Sequence, residues 1–174
     1  MRDLRLEPLD ERWLDNVAEL VEDPEVLRFT RIPEPVPQGF AGTWIARYTT
    51  GRRDGTCEGF AVVDSDERFV GLALAPEIDR EAAELELGYI VAPGLRGRGG
   101  ATEILRLLTG WAFHDAQAER VILIIDVDNP ASQRVAERCG YRHEGIMRSI
   151  HLKPGRRIDA GLWSRLATDP SAVS

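Results

Sequence analysis

An α/β fold, with one mixed and mostly antiparallel sheet carrying helices on both faces, is predicted by three observations. Val121-Ile-Leu-Ile-Ile125 is a continuous apolar run, the pattern of a central strand covered on both sides. Three short strands, at residues 58–63, 69–76 and 83–92, follow one another in meander order with polar links at 65–68 and 79–82. The third breaks at Pro93 into a glycine-dense turn that opens directly onto a helical pattern.

The remaining elements fall around these. Leu4, Leu6 and Pro8-Leu9 read as an opening strand, and Asp10 caps a helix whose apolar face is Trp13, Leu14, Val17, Leu20 and Val21. Pro24 ends or redirects that helix. Residues 30–39, with Ile32-Pro-Glu-Pro-Val-Pro37, form a stiff loop. A second helix covers residues 40–49, and Gly51-Arg-Arg-Asp-Gly55 is expected to be a turn. Ile104, Leu105, Leu108, Trp111 and Ala112 recur at helical spacing over residues 101–117. A strand at 120–128, a short helix from Asn129 to about Gly140, and a hairpin of residues 141–152 and 159–166 around Lys153-Pro-Gly-Arg-Arg157 complete the order β-α-α-β-β-β-α-β-α-β-β.

The 174 residues suit a single domain over 1–174. A formal net charge of -7, with no basic stripe, argues against a nucleic-acid partner and fits a cationic or amine-bearing acceptor. Cys57 and Cys139 are the only cysteines and read as small core residues in a reducing, cytoplasmic setting. No run of about 18 apolar residues is present, so no membrane span is expected. His114, His143 and His151 lack metal-ligand spacing, and no metal is expected.

The passage Tyr89-Ile-Val-Ala-Pro-Gly-Leu-Arg-Gly-Arg-Gly-Gly-Ala-Thr102 carries the functional signal. Arg96, Gly97, Arg98, Gly99, Gly100, Ala101 and Thr102 place little side-chain bulk around several main-chain N–H groups, which a helix N-terminus and two guanidinium groups reinforce as an anion cradle. A P-loop would need Gly-Lys-Ser/Thr, and no lysine is present. A dinucleotide fingerprint would need a third glycine where Thr102 stands. A ligand-free glycine turn is the bland alternative.

Arg96-x-x-Gly99-x-Ala101 after a strand resembles the pyrophosphate loop of the GCN5-related N-acyltransferases, the GNAT superfamily. Asn129-Pro-Ala-Ser132 resembles the segment in which an Asn and a Ser flank the pantetheine arm, and Gly155-Arg-Arg-Ile-Asp159-Ala-Gly-Leu-Trp-Ser164 resembles the last hairpin of the RimJ/RimL-like branch. Taken singly, Asn129 is equally a turn residue and Ser132 equally a helix cap. Tyr141 and Trp163 read as core aromatics.

The resemblance implies a GNAT-like fold, acetyl-coenzyme A as cosubstrate, and direct attack of an amine on the thioester in a ternary complex. The acceptor would be a protein N-terminal α-amine or a small molecule, and a homodimer is a possible assembly. It implies polarisation of the carbonyl by a main-chain N–H at Ile90 or Val91. Arg134 would meet the 3'-phosphate. Many relatives reprotonate the thiolate with a tyrosine at the position of Ala136; here Ser132 would donate instead. Glu84 and Glu86 share a strand face, and Glu86 is chosen as the base acting directly or through water. Solubilising charge is the competing reading. Succinyl or another acyl donor, and a silent acyl-coenzyme A sensor, remain alternatives. Trp13, Phe29, the proline loop, Trp44 and the Lys153–Arg157 turn are expected to set the acceptor.

Overall fold

A computed structural model describes residues 3–170. A seven-stranded sheet runs in the order β1-β2-β3-β4-β5-β7-β6. Its strands are β1 (Arg5–Pro8), β2 (Glu58–Val63), β3 (Phe69–Asp79), β4 (Glu84–Val91), β5 (Arg120–Asp126), β6 (Arg142–Lys153) and β7 (Arg156–Leu166). Every neighbouring pair is antiparallel except β4 and β5, which run parallel. The fold class predicted from sequence is the one observed.

Helices α1 (Leu14–Val21), α2 (Pro24–Phe29) and α3 (Phe40–Asp54) cover one face; α4 (Gly100–His114) and α5 (Pro130–Arg138) cover the other. Alternation along the strands divides the core accordingly. Leu85, Leu87, Val121, Leu123 and Ile125 pack with Ile104, Leu105 and Leu108 of α4. Ala61, Leu72, Leu74 and Ile90 pack with Val17, Leu20, Ile45 and Tyr48 on the opposite face. Full burial of each such side chain contributes about 1.5–3 kcal/mol. Tyr141, Trp163, Cys57 and Cys139 are all buried, as expected. No helix of the described residues is long and apolar enough to cross a membrane.

Three local readings need correction. Pro24 does not only stop α1: Asp23 accepts the N–H groups of Glu25 and Val26, and Pro24 begins α2, where its missing N–H costs nothing. Residues 51–54 are not a turn but the last turn of α3, which ends at Gly55 in the left-handed region. The strand expected to stop at Pro76 runs on to Asp79, because Pro76 occupies a bulge: two residues of β3, Ala75 and Pro76, stand opposite Leu87 alone.

The feature that makes room for a ligand is the short pairing of β4 with β5. Glu84, Leu85 and Glu86 pair with Arg120, Val121 and Ile122, and no pairing follows. Beyond Glu86 the two strands splay apart, leaving main-chain groups of β4 unsatisfied along the opening.

Candidate active site

The splay is filled by two clefts that meet. The first, of about 380 Å³, is walled by Tyr89, Ile90 and Val91 of β4, by Arg96, Gly97 and Gly99 to Thr102, and by Asn129, Ser132 and Arg134. Nearly all the sequence-predicted site residues are therefore brought together. Arg98 and Glu86 are the exceptions: Arg98 is exposed and outside this wall, and Glu86 lies in the second cleft. Arg138, not anticipated, joins Arg134 along α5.

The cradle's shape follows from its glycines. Gly97 and Gly99 have φ of 69° and 81°, conformations that side chains rarely tolerate. Gly100 is needed for a different reason, since a Cβ there would stand 2.3 Å from the Leu95 side chain. Among the described residues, none of the amides from Gly97 to Thr102 donates to an acceptor of the chain; the first bond of α4 is from Glu103 to Gly99. These are the orphan donors of a helix start, extended backwards by the turn. The Arg96 side chain does not point its charge at them. It donates to Asp23 at 2.9 and 3.2 Å, to Glu25 at 3.0 Å and to the Val91 carbonyl at 3.1 Å, tying the cradle to α2. The Arg96 guanidinium in turn holds the Asp23 carboxyl below its ordinary range.

The second cleft, of about 590 Å³, lies on the α1–α3 side and is walled by Phe29, Arg31, Phe40, Trp44, Arg47 and Tyr48, by Pro76 at the bulge, and by Glu86, Asp126 and His151. Both clefts share Phe29, Thr30, Tyr89, Ile90, Asn129 and Ser132. Of the residues expected to set the acceptor, Phe29, Trp44 and the start of the proline loop at Ile32 and Pro33 line this cleft. Trp13 does not: it packs against Phe69, with ring centroids 5.8 Å apart. Lys153 braces the wall from outside, its ammonium donating to the carbonyls of Leu27 and Thr30, and burial pushes its pKa down.

Glu86 and Glu84 part company. Glu86 reaches the second cleft, only 11% exposed, and pairs with Arg31. Glu84 pairs with Arg120, which also holds Glu144 at 2.7 Å, outside both clefts. The cap expected of Ser132 is made by Asn129, which accepts the Ser132 N–H at 3.1 Å at the start of α5, while Ser132 lines both clefts at their seam.

Sequence reasoning missed two groups. The Tyr89 hydroxyl is buried beside Ser132 without a well-formed hydrogen bond, and burial pushes its pKa up to about 12 against the opposing pull of the Ser132 side chain. His151 donates or accepts at 3.0 Å through Nδ1 to Asp126 Oδ1, and its Nε2 is buried and unpartnered. Histidine spacing speaks only to metal binding, and Asp126 closes an apolar strand without a motif of its own. Among the described residues no group of three or more His, Cys, Asp or Glu is placed to hold a metal ion.

Comparisons with known proteins agree with this geometry. An uncharacterized N-acetyltransferase of Bacillus licheniformis is 24% identical over 165 residues, covering 94% of this chain and 92% of that one. A putative ribosomal N-acetyltransferase of Bacillus subtilis is 31% identical over 101 residues, 58% of this chain and 55% of that one. Among solved structures, spermidine N-acetyltransferase from Vibrio cholerae, in complex with CoA and spermine, superposes with a TM-score of 0.83 at 23% identity, covering 94% of this chain and 95% of that one, a likeness of fold. Residues 3–142 match the family described as the acetyltransferase (GNAT) domain, and the chain belongs to that family as a GNAT-type N-acetyltransferase.

Proposed function

We propose that the protein transfers an acetyl group from acetyl-coenzyme A to a single primary amine, by direct attack within a ternary complex. The observation that carries this reading is the meeting of the two clefts: free amides from Gly97 to Thr102 open onto one, and aromatic side chains with a carboxylate line the other.

In this account the amides of Gly97 to Thr102 grip the diphosphate, and Arg134 meets the 3'-phosphate. Asn129 and Ser132 flank the pantetheine. A β4 N–H at Ile90 or Val91 polarises the thioester carbonyl across the splay. Glu86 draws in the protonated amine. The Ser132 hydroxyl donates to the departing sulfur, with the orphan Tyr89 hydroxyl beside it supporting that donor.

The acceptor cleft carries Arg31 and Arg47 beside Glu77, Glu86 and Asp126, a balance that suits an amine-bearing acceptor. The acceptor taken here is one amine, as at a protein N-terminus, on the ground of its proton affinity. An α-amine needs less help to lose its proton, with a reference pKa of about 7.7–8.0 against about 10.4 for lysine. The likeness to a putative ribosomal N-acetyltransferase supports the RimJ/RimL-like assignment. A homodimer fits the exposed Ile146, Ile150 and Leu152 on the edge strand β6.

Thiol release tests the reading, using acetyl- and succinyl-coenzyme A against N-terminal peptides, monoamines and polyamines. Turnover with acetyl-coenzyme A and a single-amine acceptor is expected. Preference for spermidine would overturn the acceptor, and preference for succinyl-coenzyme A would overturn the donor.

A further inference from the structure

We propose that His151, oriented by Asp126, takes the proton from the attacking amine, leaving Glu86 to steer the cation inward. The inference rests on the acyl-transfer reading above and deepens it.

Register supplies the first argument. Glu86 pairs with Ile122, so four residues further along each strand stand Ile90 on β4 and Asp126 on β5, level with one another across the splay. At about 3.3 Å per residue, Glu86 lies about 13 Å back along the strand from the proposed carbonyl-polarising amide. Asp126 shares the sheet face of Glu86, since Leu123 and Ile125 pack on the α4 side.

Chemistry supplies the second. A carboxylate only accepts, so the 3.0 Å contact puts the proton of a neutral imidazole on Nδ1 and leaves a lone pair on Nε2. That atom is buried without a partner, while the residue lines the acceptor cleft and its side chain is 11% exposed. A buried acceptor with nothing to accept costs stability unless a donor arrives, and an amine N–H is such a donor. Glu86, by contrast, already has Arg31 as its partner.

The step balances simply. The ammonium gives one proton to Nε2, which frees the lone pair that forms the C–N bond; the C–S bond breaks with its electron pair on sulfur, the second N–H proton reaches that sulfur through the Ser132 hydroxyl, which gives one proton and takes one, and His151 releases its proton to solvent. Asp126 acts through His151 and is a positioning residue. Asp126 on β5 is the charged group in contact with the ring; Lys153 follows on β6, Asp159 on β7 accepts the Ser149 N–H, and Glu86, Arg31, Glu77 and Arg47 line the same cleft.

The test uses the full chain with acetyl-coenzyme A and three probe amines: a serine-initiated peptide, 2-phenylethylamine and spermidine. His151→Gln is expected to lower kcat about 100-fold with the donor KM within twofold, to abolish the acidic limb of the kcat profile, and His151→Ala to regain activity with added imidazole. Asp126→Asn should lower kcat with the same limb displaced. A kcat within threefold of the parent, or an acidic limb that persists in His151→Gln, overturns the proposal. A readout independent of turnover is the ring tautomer in the free protein, measured by nitrogen-15 NMR: Nδ1–H with bare Nε2 supports the proposal, and Nε2–H overturns it. Absence of turnover by the parent with all three amines would count against the proposed function, while the tautomer would still decide for or against His151.

Discussion

On the donor side of the splay the cleft is walled by main-chain amides of one continuous segment, Gly97 to Thr102, held by glycine conformations and a helix start. On the acceptor side it is walled by side chains from separate segments: Phe29 and Arg31, Trp44 and Tyr48, Glu86, Asp126 and His151. The first wall suits a ligand whose diphosphate is constant, because amides bind any such group in the same way. The second can change its chemistry one residue at a time, and in the proposed reaction it is the wall that meets the amine. The two walls should therefore fail differently when altered.

The largest expected separation comes from Glu86→Gln. It removes the charge proposed to draw in the cation while keeping the shape of the wall, and kcat/KM for the amine should fall about 100-fold, within the range for loss of one partner of a desolvated charge pair. The donor KM should stay within twofold, which steady-state kinetics with each substrate varied would show. A parallel rise in donor KM would mean that the two walls are not independent.

Next is Gly100→Ala on the other wall. The added Cβ meets Leu95 at 2.3 Å and the turn must shift, at a cost of about 1–3 kcal/mol for overpacking. Acetyl-coenzyme A should bind about tenfold more weakly by calorimetry, with amine KM unchanged. Unaltered donor affinity would break the assignment of this turn.

Arg96 and Arg98 sharpen the comparison because they are alike in sequence and unlike in place. Arg96→Ala frees α2 from the cradle by removing the partner of Asp23 and Glu25, and Phe29 follows α2 on both walls. Both KM values should rise a few-fold. Arg98→Ala should change only the donor KM, by less than threefold and less still at high salt, as an exposed charge does.

The smallest effect lies outside both walls. Arg120, and then the Ser164 hydroxyl, hold the Glu144 carboxyl at about 2, below its ordinary 4.5. A depressed folded-state pKa stabilises above the unfolded value and is lost as pH falls from about 4.5 through 2. Because the side chain is 38% exposed, Glu144→Gln should cost only about 1 kcal/mol at pH 7 after solvent screening. That is a fall of roughly 2–4 °C in Tm, vanishing near pH 2, with activity intact.

The same difference of material decides what the sequence made legible. The cradle is local, so Gly97, Gly99 and the strand before them announced it, and Asn129 and Ser132 followed one strand later. Helix caps and the bulge at Pro76 were less legible because a proline stop and a proline start look alike without Asp23 in view. The acceptor wall was least legible. The pairing of His151 with Asp126 spans 25 residues and depends on β6 lying beside β7 and β7 beside β5, a topology no short motif encodes. Glu84 and Glu86 looked equivalent by alternation, and only Arg120 and Arg31 distinguish them.

The central claim is that the free amides of the turn and helix start hold the diphosphate of the acyl donor. Amide NMR of the full chain during addition of acetyl-coenzyme A tests it directly. The account predicts that the N–H resonances of Gly97 to Thr102 move most and become protected from exchange, with those of Ile90 and Val91 following. Binding that leaves those amides unmoved, or no binding at millimolar donor, would contradict it.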